Sequence, residues 1–423
     1  MQVTIGGKAA GVITAPPSKS MAHRAVLAAA LANGTSRIDN LEWSADVKAT
    51  LQAAQDFGAA VVMGENWAEI TGTGLPAAPS APVDCGESGS TLRFLIPILA
   101  QTAKPVTLVG HGRLPQRPQQ VYADLFAKQN LTFQQTEQGV ELCGPLEGGE
   151  YTLRGDVSSQ FISGLLFALP LAEKDSTIHI LPPFESRSYV ELTLQTLEQF
   201  GVSVKWKDQN TLLIAGNQKY QPKNVSVEGD WSNGAFPAVL GALTGTVQLN
   251  GLNEDTRQGD SVIFEILKQC GTDISTNEQK NVTFSGTALK GTTIDLADCP
   301  DLGPILMVLA MFCKGTTRIE HAGRLRIKES DRIEAMAAEL KKFGAEVRQL
   351  DSETVEIDGC IPCQPTQPIS SHNDHRVVMA CTVAALAAGL TITIQDAQAV
   401  QKSWPAFFDS MEQLGVEVKW QDD

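Results

Sequence analysis

Cationic side chains stand in this sequence where helices do not ordinarily want them. Ser18, Ser88, Ser158 and Ser232 each open an Ala/Leu-rich stretch, and each suits the N-cap position, where a hydroxyl accepts from free backbone N–H groups. A helix N-terminus is already the positive end of its dipole. Yet Lys19 and Arg24 fall in the first such stretch, Arg93 in the second, and His375-Arg376 open a further one, HRVVMACTVAALAAG. Positive charge at a positive pole is unfavourable alone and becomes favourable when an anion binds there. More cations lie in loops: Arg117 in GRLPQRP, Lys328 and Arg332 in RLRIKESDR with Glu329 and Asp331 between them, and Lys402 in VQKSWP. Each alone reads as a solvated surface charge. Gathered on one face of an acidic chain, they would form a positive surface that focuses small polyanions. Asp301, the second acid of DCPDLGP, and Glu329 add carboxylates that could move protons.

The elements that must position these residues repeat. Six openings resemble one another: PPSKSMAHRAVLAAALA, CGESGSTLRFLIPILA, RGDVSSQFISGLLFALPLA, EGDWSNGAFPAVLGALTG, DCPDLGPILMVLAMFCKG and SSHNDHRVVMACTVAALAAG. Aligned on Ser18, Ser88, Ser158, Ser232, Leu302 and His372, they are spaced 70, 70, 74, 70 and 70 residues. A β-branched run follows each, as in TSRIDNL and TVQLNGL, and then an amphipathic helical stretch. Those second stretches end at Gly58, Asn130, Gly201, Gly271, Gly344 and Gly415, residue types that accept a left-handed C-cap. A short strand pair closes each unit. The unit therefore reads strand, helix, strand, helix, strand, strand, and the fold class is α/β. Its period is too long for a helical solenoid and mixes helices with strands, so two three-unit lobes are expected rather than one rod. The loop cations recur at one phase of the unit, between its second strand and second helix. A six-unit scaffold without chemistry is the plain alternative.

Composition narrows the partners. The 423 residues suffice for two ordinary domains, and 43% hydrophobic with 19% charged residues reads as globular. The net charge of −15 with no basic block makes nucleic acid and anionic membrane poor partners. The N-terminus lacks a secretory pattern. The apolar stretch Val377–Ile394 is broken by Thr382, Gly389, Thr391 and Thr393 and reads as a buried helix running into a strand. Eight scattered cysteines form no disulfide framework and fit a reducing cytoplasm. Cys360-Ile361-Pro362-Cys363 has no second pair or histidine at zinc spacing.

Nine segments, taken in chain order, resemble the 5-enolpyruvylshikimate-3-phosphate (EPSP) synthase family. Ser18-Lys19-Ser20 with Arg24 resembles its opening motif, and Ser88-Gly89-Ser90-Thr91 with Arg93 its phosphoenolpyruvate glycine loop. Gln116-Arg117-Pro118, Ser158-Ser159-Gln160 and Ser186 with Tyr189 resemble the next three motifs. Pro300-Asp301, the run from Arg326 to Arg332, Asn373-Asp374-His375-Arg376 and Lys402 complete the set. The resemblance covers the whole chain. It implies a two-lobed enolpyruvyl transferase fold, an inside-out α/β barrel of six βαβαββ repeats, three per lobe. Residues 18–227 would form one lobe, and 1–17 with 228–423 the other.

The resemblance also implies roles. Lys19, Ser20, Arg24, Ser158, Ser159, Gln160, Ser186, Tyr189, Asp301 and Lys328 would hold shikimate-3-phosphate. Lys19, Gly89, Arg117, Gln160, Arg332, Arg376 and Lys402 would hold phosphoenolpyruvate, whose site the herbicide glyphosate occupies in this family. Asp301, Glu329 and Lys19 are the catalytic candidates. No metal or organic cofactor is implied, and a cytoplasmic monomer is expected. Two positions depart from the pattern: Glu87 stands where many members have Asn, and Arg324 where many have Asn near the shikimate ring. The rival reading, UDP-N-acetylglucosamine enolpyruvyl transferase, shares the fold and the donor. It opens with a Lys-Asn pair and usually carries a cysteine in the second unit's loop, whereas this chain has Lys19-Ser20 and no cysteine over 113–120.

Overall fold

The repeat is plainest in the second unit. Strand Val83–Asp84 leads into helix Gly89–Ala100, strand Val106–Val109, helix Gln120–Lys128 and strands Thr132–Gln135 and Gly139–Cys143. The first strand pairs in parallel with the second, as a helical crossover allows, while the others pair antiparallel in the order first, second, fourth, third. The computed structural model describes residues 1–286 and 288–421, and among them lie six four-stranded sheets with one such order each. The expected βαβαββ repeat is therefore present six times.

Two compact units result, Lys19–Val227 and Met1–Ser18 with Glu228–Asp423. Within each, strands are borrowed along the chain. The first repeat takes its parallel edge from Val225–Ser226, which pairs with Asn33–Asp39. Gly11–Thr14 serves the fourth repeat instead, pairing with Val247–Asn250. Among the described residues the sixth repeat has only Glu417–Gln421 after its second helix, and Gln2–Gly6 fills the remaining place between that strand and Ile392–Gln395.

Each unit has one hydrophobic core. The first helix of each repeat lies in it and is apolar on nearly every side; in Gly303–Phe312 every residue but the last is buried. The second helices are amphipathic, as in Ile263–Cys270, which buries Ile263, Phe264, Ile266, Leu267 and Cys270. All six second helices end as expected: Gly58, Asn130, Gly201, Gly271, Gly344 and Gly415 have φ of 115°, 57°, 78°, 102°, 92° and 84°. Val377–Ile394 falls in helix His375–Ala388 and strand Ile392–Gln395. No helix among the described residues is long and apolar enough to cross a membrane.

Of the four serines expected to cap, the Ser18 hydroxyl has no hydrogen-bond partner among the described residues and Ser232 is displaced from its cap, while the sixth repeat's first helix is capped two residues after His372. Asp230 caps helix Trp231–Thr244 by accepting from the Asn233 N–H, and the Ser232 hydroxyl turns away to donate to Asp260. Asp374 caps helix His375–Ala388 by accepting from the Arg376 N–H. A carboxylate serves as the cap at both starts, two residues before Ser232 and two after His372, and suits the positive helix end.

Candidate active site

In the Lys19–Val227 unit, three first helices present their N-termini: Lys19–Leu31, Gly89–Ala100 and Ser159–Ala168. Ser88 and Ser158 are true caps, accepting from the N–H groups of Thr91 and Gln160. Lys19 extends to Asp46, with Nζ 2.9 Å from Oδ2. Arg24 is buried and bonded through each of its nitrogens: Nε donates to Thr193 Oγ1 at 2.8 Å, Nη1 to the Ser20 carbonyl at 2.6 Å and Nη2 to the Tyr189 carbonyl at 2.9 Å. Burial pushes its pKa down to about 10. Beside it, burial and then the charges of Lys19 and Arg24 hold the His23 imidazole well below its ordinary pKa, so it is neutral.

Gln160 joins two of these helix starts. Its Nε2 donates to Ser90 Oγ at 2.9 Å, and its Oε1 accepts from Arg93 Nη1 at 2.7 Å. Ser186 is buried with φ 53°, a left-handed conformation uncommon for serine, and precedes helix Arg187–Gln199, which carries Tyr189. Arg117 follows the short turn Leu114–Gln116 and is 9% exposed. Its Nε has no hydrogen-bond partner among the described residues. Its guanidinium lies so close to Gly89 that a Cβ there would stand 2.5 Å from Nη1. Gly89 does not have a positive φ, so its lack of a side chain serves the approach of Arg117 rather than a left-handed turn. Glu87 reaches the same loop from its other side, where a Cβ on Gly112 would meet Oε2 at 2.5 Å.

The second unit gathers Asp301, Lys328, Glu329, Arg332, Arg376 and Lys402. Asp301 sits in the short turn Pro300–Leu302, while Arg332 and Arg376 begin or nearly begin their helices. Asp301 Oδ1 accepts from Lys328 Nζ at 3.1 Å and Arg332 Nη1 at 3.0 Å, and Oδ2 lies 3.3 Å from Arg376 Nη2. Burial alone would raise this carboxyl's pKa, but Arg376, Lys328 and Arg332 outweigh it and hold it well below the usual range. Lys328 is lowered by burial, which outweighs the attraction of Asp301. Arg332 also donates to Glu329 at 2.8 Å and, through Nε, to Asp374 at 2.8 Å. Burial opposes its charge, but Asp374, Glu329 and Asp301 more than restore it. Lys402 donates to the Asn373 carbonyl at 2.7 Å.

Three partners escaped the sequence reading. Asp46, the holder of Lys19, reads in sequence as an ordinary first-turn acid behind the Ser44 cap. Asp374 was legible only as part of Asn-Asp-His-Arg. Arg93 was visible as a misplaced cation, but not as the partner of Gln160. Arg324 turns its Nη2 onto the Ala297 carbonyl.

Six βαβαββ units with two such sets of cations and paired carboxylates define the enolpyruvyl transferase class. The profile of EPSP synthase (3-phosphoshikimate 1-carboxyvinyltransferase) matches residues 3–411, and the chain belongs to that family. A 3-phosphoshikimate 1-carboxyvinyltransferase of Clostridium kluyveri is 40% identical over 414 residues, 97% of this chain and 96% of the relative. One from Clostridioides difficile is 39% identical over 425 residues, with 97% and 96% covered. The structure of EPSP synthase from Acinetobacter baumannii superposes with a TM-score of 0.80 at 29% identity, covering 99% of this chain and 100% of that one. The enolpyruvyl transferase NikO from Streptomyces tendae shares the fold, with a TM-score of 0.77 at 17% identity and 99% and 98% covered. The chain is thus an enzyme that transfers the carboxyvinyl group of phosphoenolpyruvate to shikimate-3-phosphate in aromatic biosynthesis. The nucleotide-sugar rival is not favoured.

Proposed function

We propose that the residues described above divide that reaction as follows. Lys19, Ser20, Arg24, Ser158, Ser159, Gln160, Ser186 and Tyr189, with Asp301 and Lys328, hold shikimate-3-phosphate. Lys19, Gly89, Arg117, Gln160, Arg332, Arg376 and Lys402 hold phosphoenolpyruvate. Arginine forks suit both its carboxylate and its phosphate. The observation that carries this reading is Arg117: a nearly buried guanidinium with an unpartnered Nε beside the bare backbone of Gly89. A buried cation left so incompletely satisfied calls for an anion.

The reaction needs two proton movements. The 5-hydroxyl of shikimate-3-phosphate loses its proton as the oxygen bonds to C2 of phosphoenolpyruvate, and C3 gains a proton to give a tetrahedral intermediate. That C3 proton is then lost as the C2–phosphate bond breaks, restoring the double bond and releasing phosphate. Asp301 takes the hydroxyl proton, and Glu329 and Lys19 serve C3. With three cations against it, Asp301 is a weak base at rest. An anion bound by Arg332 and Arg376 offsets their pull, so donor binding raises the basicity of Asp301 when it is needed. No metal or organic cofactor takes part in this scheme. The acting form is read as a monomer, and the compartment as a reducing cytoplasm, with which eight free thiols agree.

The test is phosphate release from phosphoenolpyruvate, with shikimate-3-phosphate or UDP-N-acetylglucosamine offered. Release with the first alone is expected, and release with the nucleotide sugar alone would overturn the reading.

A further inference from the structure

The turn that precedes helix His375–Ala388 is strained. His372 and Asn373 have φ of 50° and 54°, two successive side-chain-bearing residues in the left-handed region. Such conformations persist only where the surroundings over-determine them. Here the surroundings are ionic. Glu339, 2% exposed, accepts from His372 Nε2 at 2.9 Å and from the Ser370 N–H at 3.1 Å. Lys342 Nζ steadies the same carboxylate at 2.6 Å and reaches the Pro368 carbonyl at 2.8 Å. Burial would raise the pKa of Glu339, but His372 and Lys342 hold it below the ordinary value, so the clamp stays ionised.

Helix Arg332–Lys342 carries both Arg332 and Glu339. Seven residues are two helical turns, so the two share a face. That face grips the turn twice: Arg332 bonds Asp374 at one end, and Glu339 bonds His372 and Ser370 at the other. Lys402 also reaches the turn, donating to the Asn373 carbonyl. The geometry of Arg332 and of Lys402 therefore depends on where this turn sits.

We propose that Glu339 and His372 are positioning residues that lock the left-handed turn and so hold Arg332 and Lys402 in register for the donor. This rests on the reading of Arg332 and Lys402 as phosphoenolpyruvate ligands.

The test uses His372→Gly, His372→Gln and Lys402→Met in the full chain. Glycine takes a left-handed backbone without strain, and the His372 side chain is 33% exposed, so His372→Gly removes the clamp while keeping the fold. Its thermal midpoint should stay within a few degrees of the parent, while the KM for phosphoenolpyruvate rises roughly 5- to 20-fold. The KM for shikimate-3-phosphate should change less than about twofold. His372→Gln, which can still donate to Glu339, should recover most of the loss. An unchanged KM for phosphoenolpyruvate in His372→Gly, equal rises for both substrates, or no rescue by glutamine would overturn the lock. If Lys402→Met left the donor's KM unchanged, the site reading would fall and the lock with it. If Lys402→Met raised that KM and His372→Gly did not, the lock alone would fall.

Discussion

Gly89→Ala tests how the donor site is built. A methyl at this position would stand 2.5 Å from Arg117 Nη1, 2.9 Å from Cζ and 3.1 Å from Nη2, whereas ordinary contact begins at 3.4 Å. The guanidinium must therefore retreat by about 0.9 Å (3.4 less 2.5). Alanine is conformationally allowed at the first residue of helix Gly89–Ala100, since Gly89 has no positive φ, so the variant should fold. A charge-assisted hydrogen bond is worth roughly 1.5–3 kcal/mol, and a 0.9 Å retreat from an optimal 2.8 Å contact leaves little of it. The upper limit of the loss is then about 10- to 150-fold in affinity for an anion held by Arg117. Phosphoenolpyruvate, being small, can follow the displaced guanidinium, but glyphosate is a longer chain and has less room to do so. We expect the inhibition constant of glyphosate to rise well above the parent value and the KM for phosphoenolpyruvate to rise much less. Both constants are measured in the parent, Gly89→Ala, Arg117→Lys and the double variant. If the methyl acts through the guanidinium, its effect should shrink in the Arg117→Lys background. Additive effects would refute that route, and equal losses for the two ligands would refute discrimination by length.

Asp301→Asn keeps the side-chain size but removes the base, and turnover should fall by about 10²-fold or more, with binding of shikimate-3-phosphate, followed by calorimetry, better preserved; near-parent turnover would pass the role to Glu329. Acid stability should follow the depressed carboxylates Asp301, Asp374 and Glu339: their contribution is present above the unfolded pKa of about 4 and is lost as pH falls through the lower folded values. Thermal midpoints followed by circular dichroism should thus drop below about pH 4, and Asp301→Asn should make that drop shallower; an unchanged slope would mean the cations do not act through Asp301. Asn130→Ala, at a helix end with φ 57°, should cost about 1–2 kcal/mol in urea melts while Asn130→Gly stays near neutral, and equal effects would count against a left-handed requirement there.

The repeat was legible because its punctuation is physical. A residue that tolerates positive φ must end each second helix, and the six chosen from sequence all have it, the non-glycine Asn130 included. Strand borrowing was less legible. Gly11–Thr14 precedes the first repeat in sequence, and its local pattern does not say that it pairs with Val247–Asn250; only the family resemblance put residues 1–17 with 228–423. Nothing local marks such an exchange, because a short strand shows which of its faces is apolar but not which neighbour it joins. The cap expected at Ser232 failed for a related reason. A cap requires an acceptor, which Asp230 supplies as well as serine does, so serine alone was too narrow a marker.

The cations were visible because charge at helix starts contradicts the helix dipole, whereas their holders were invisible because acids there agree with it. Asp46 and Asp374 look like dipole-compensating first-turn or cap residues and are that as well. Asp374 caps one helix with one oxygen, accepting from the Arg376 N–H at 2.9 Å, while the other accepts from Ser330 at 3.0 Å and from Arg332 at 2.8 Å. Glu339 lies in mid-helix, where its neighbours Lys341 and Lys342 suggest only a solvated face, and it is 2% exposed. Sequence spacing shows where a charge is unexpected. It cannot show that an expected charge has a second partner, because that partner is brought in by packing of another element, in the same repeat for Asp46 and Lys19 and in a neighbouring one for Asp374 and Arg332. The cations proposed as ligand-binding groups can thus be singled out in one dimension, and the residues that hold them only in three.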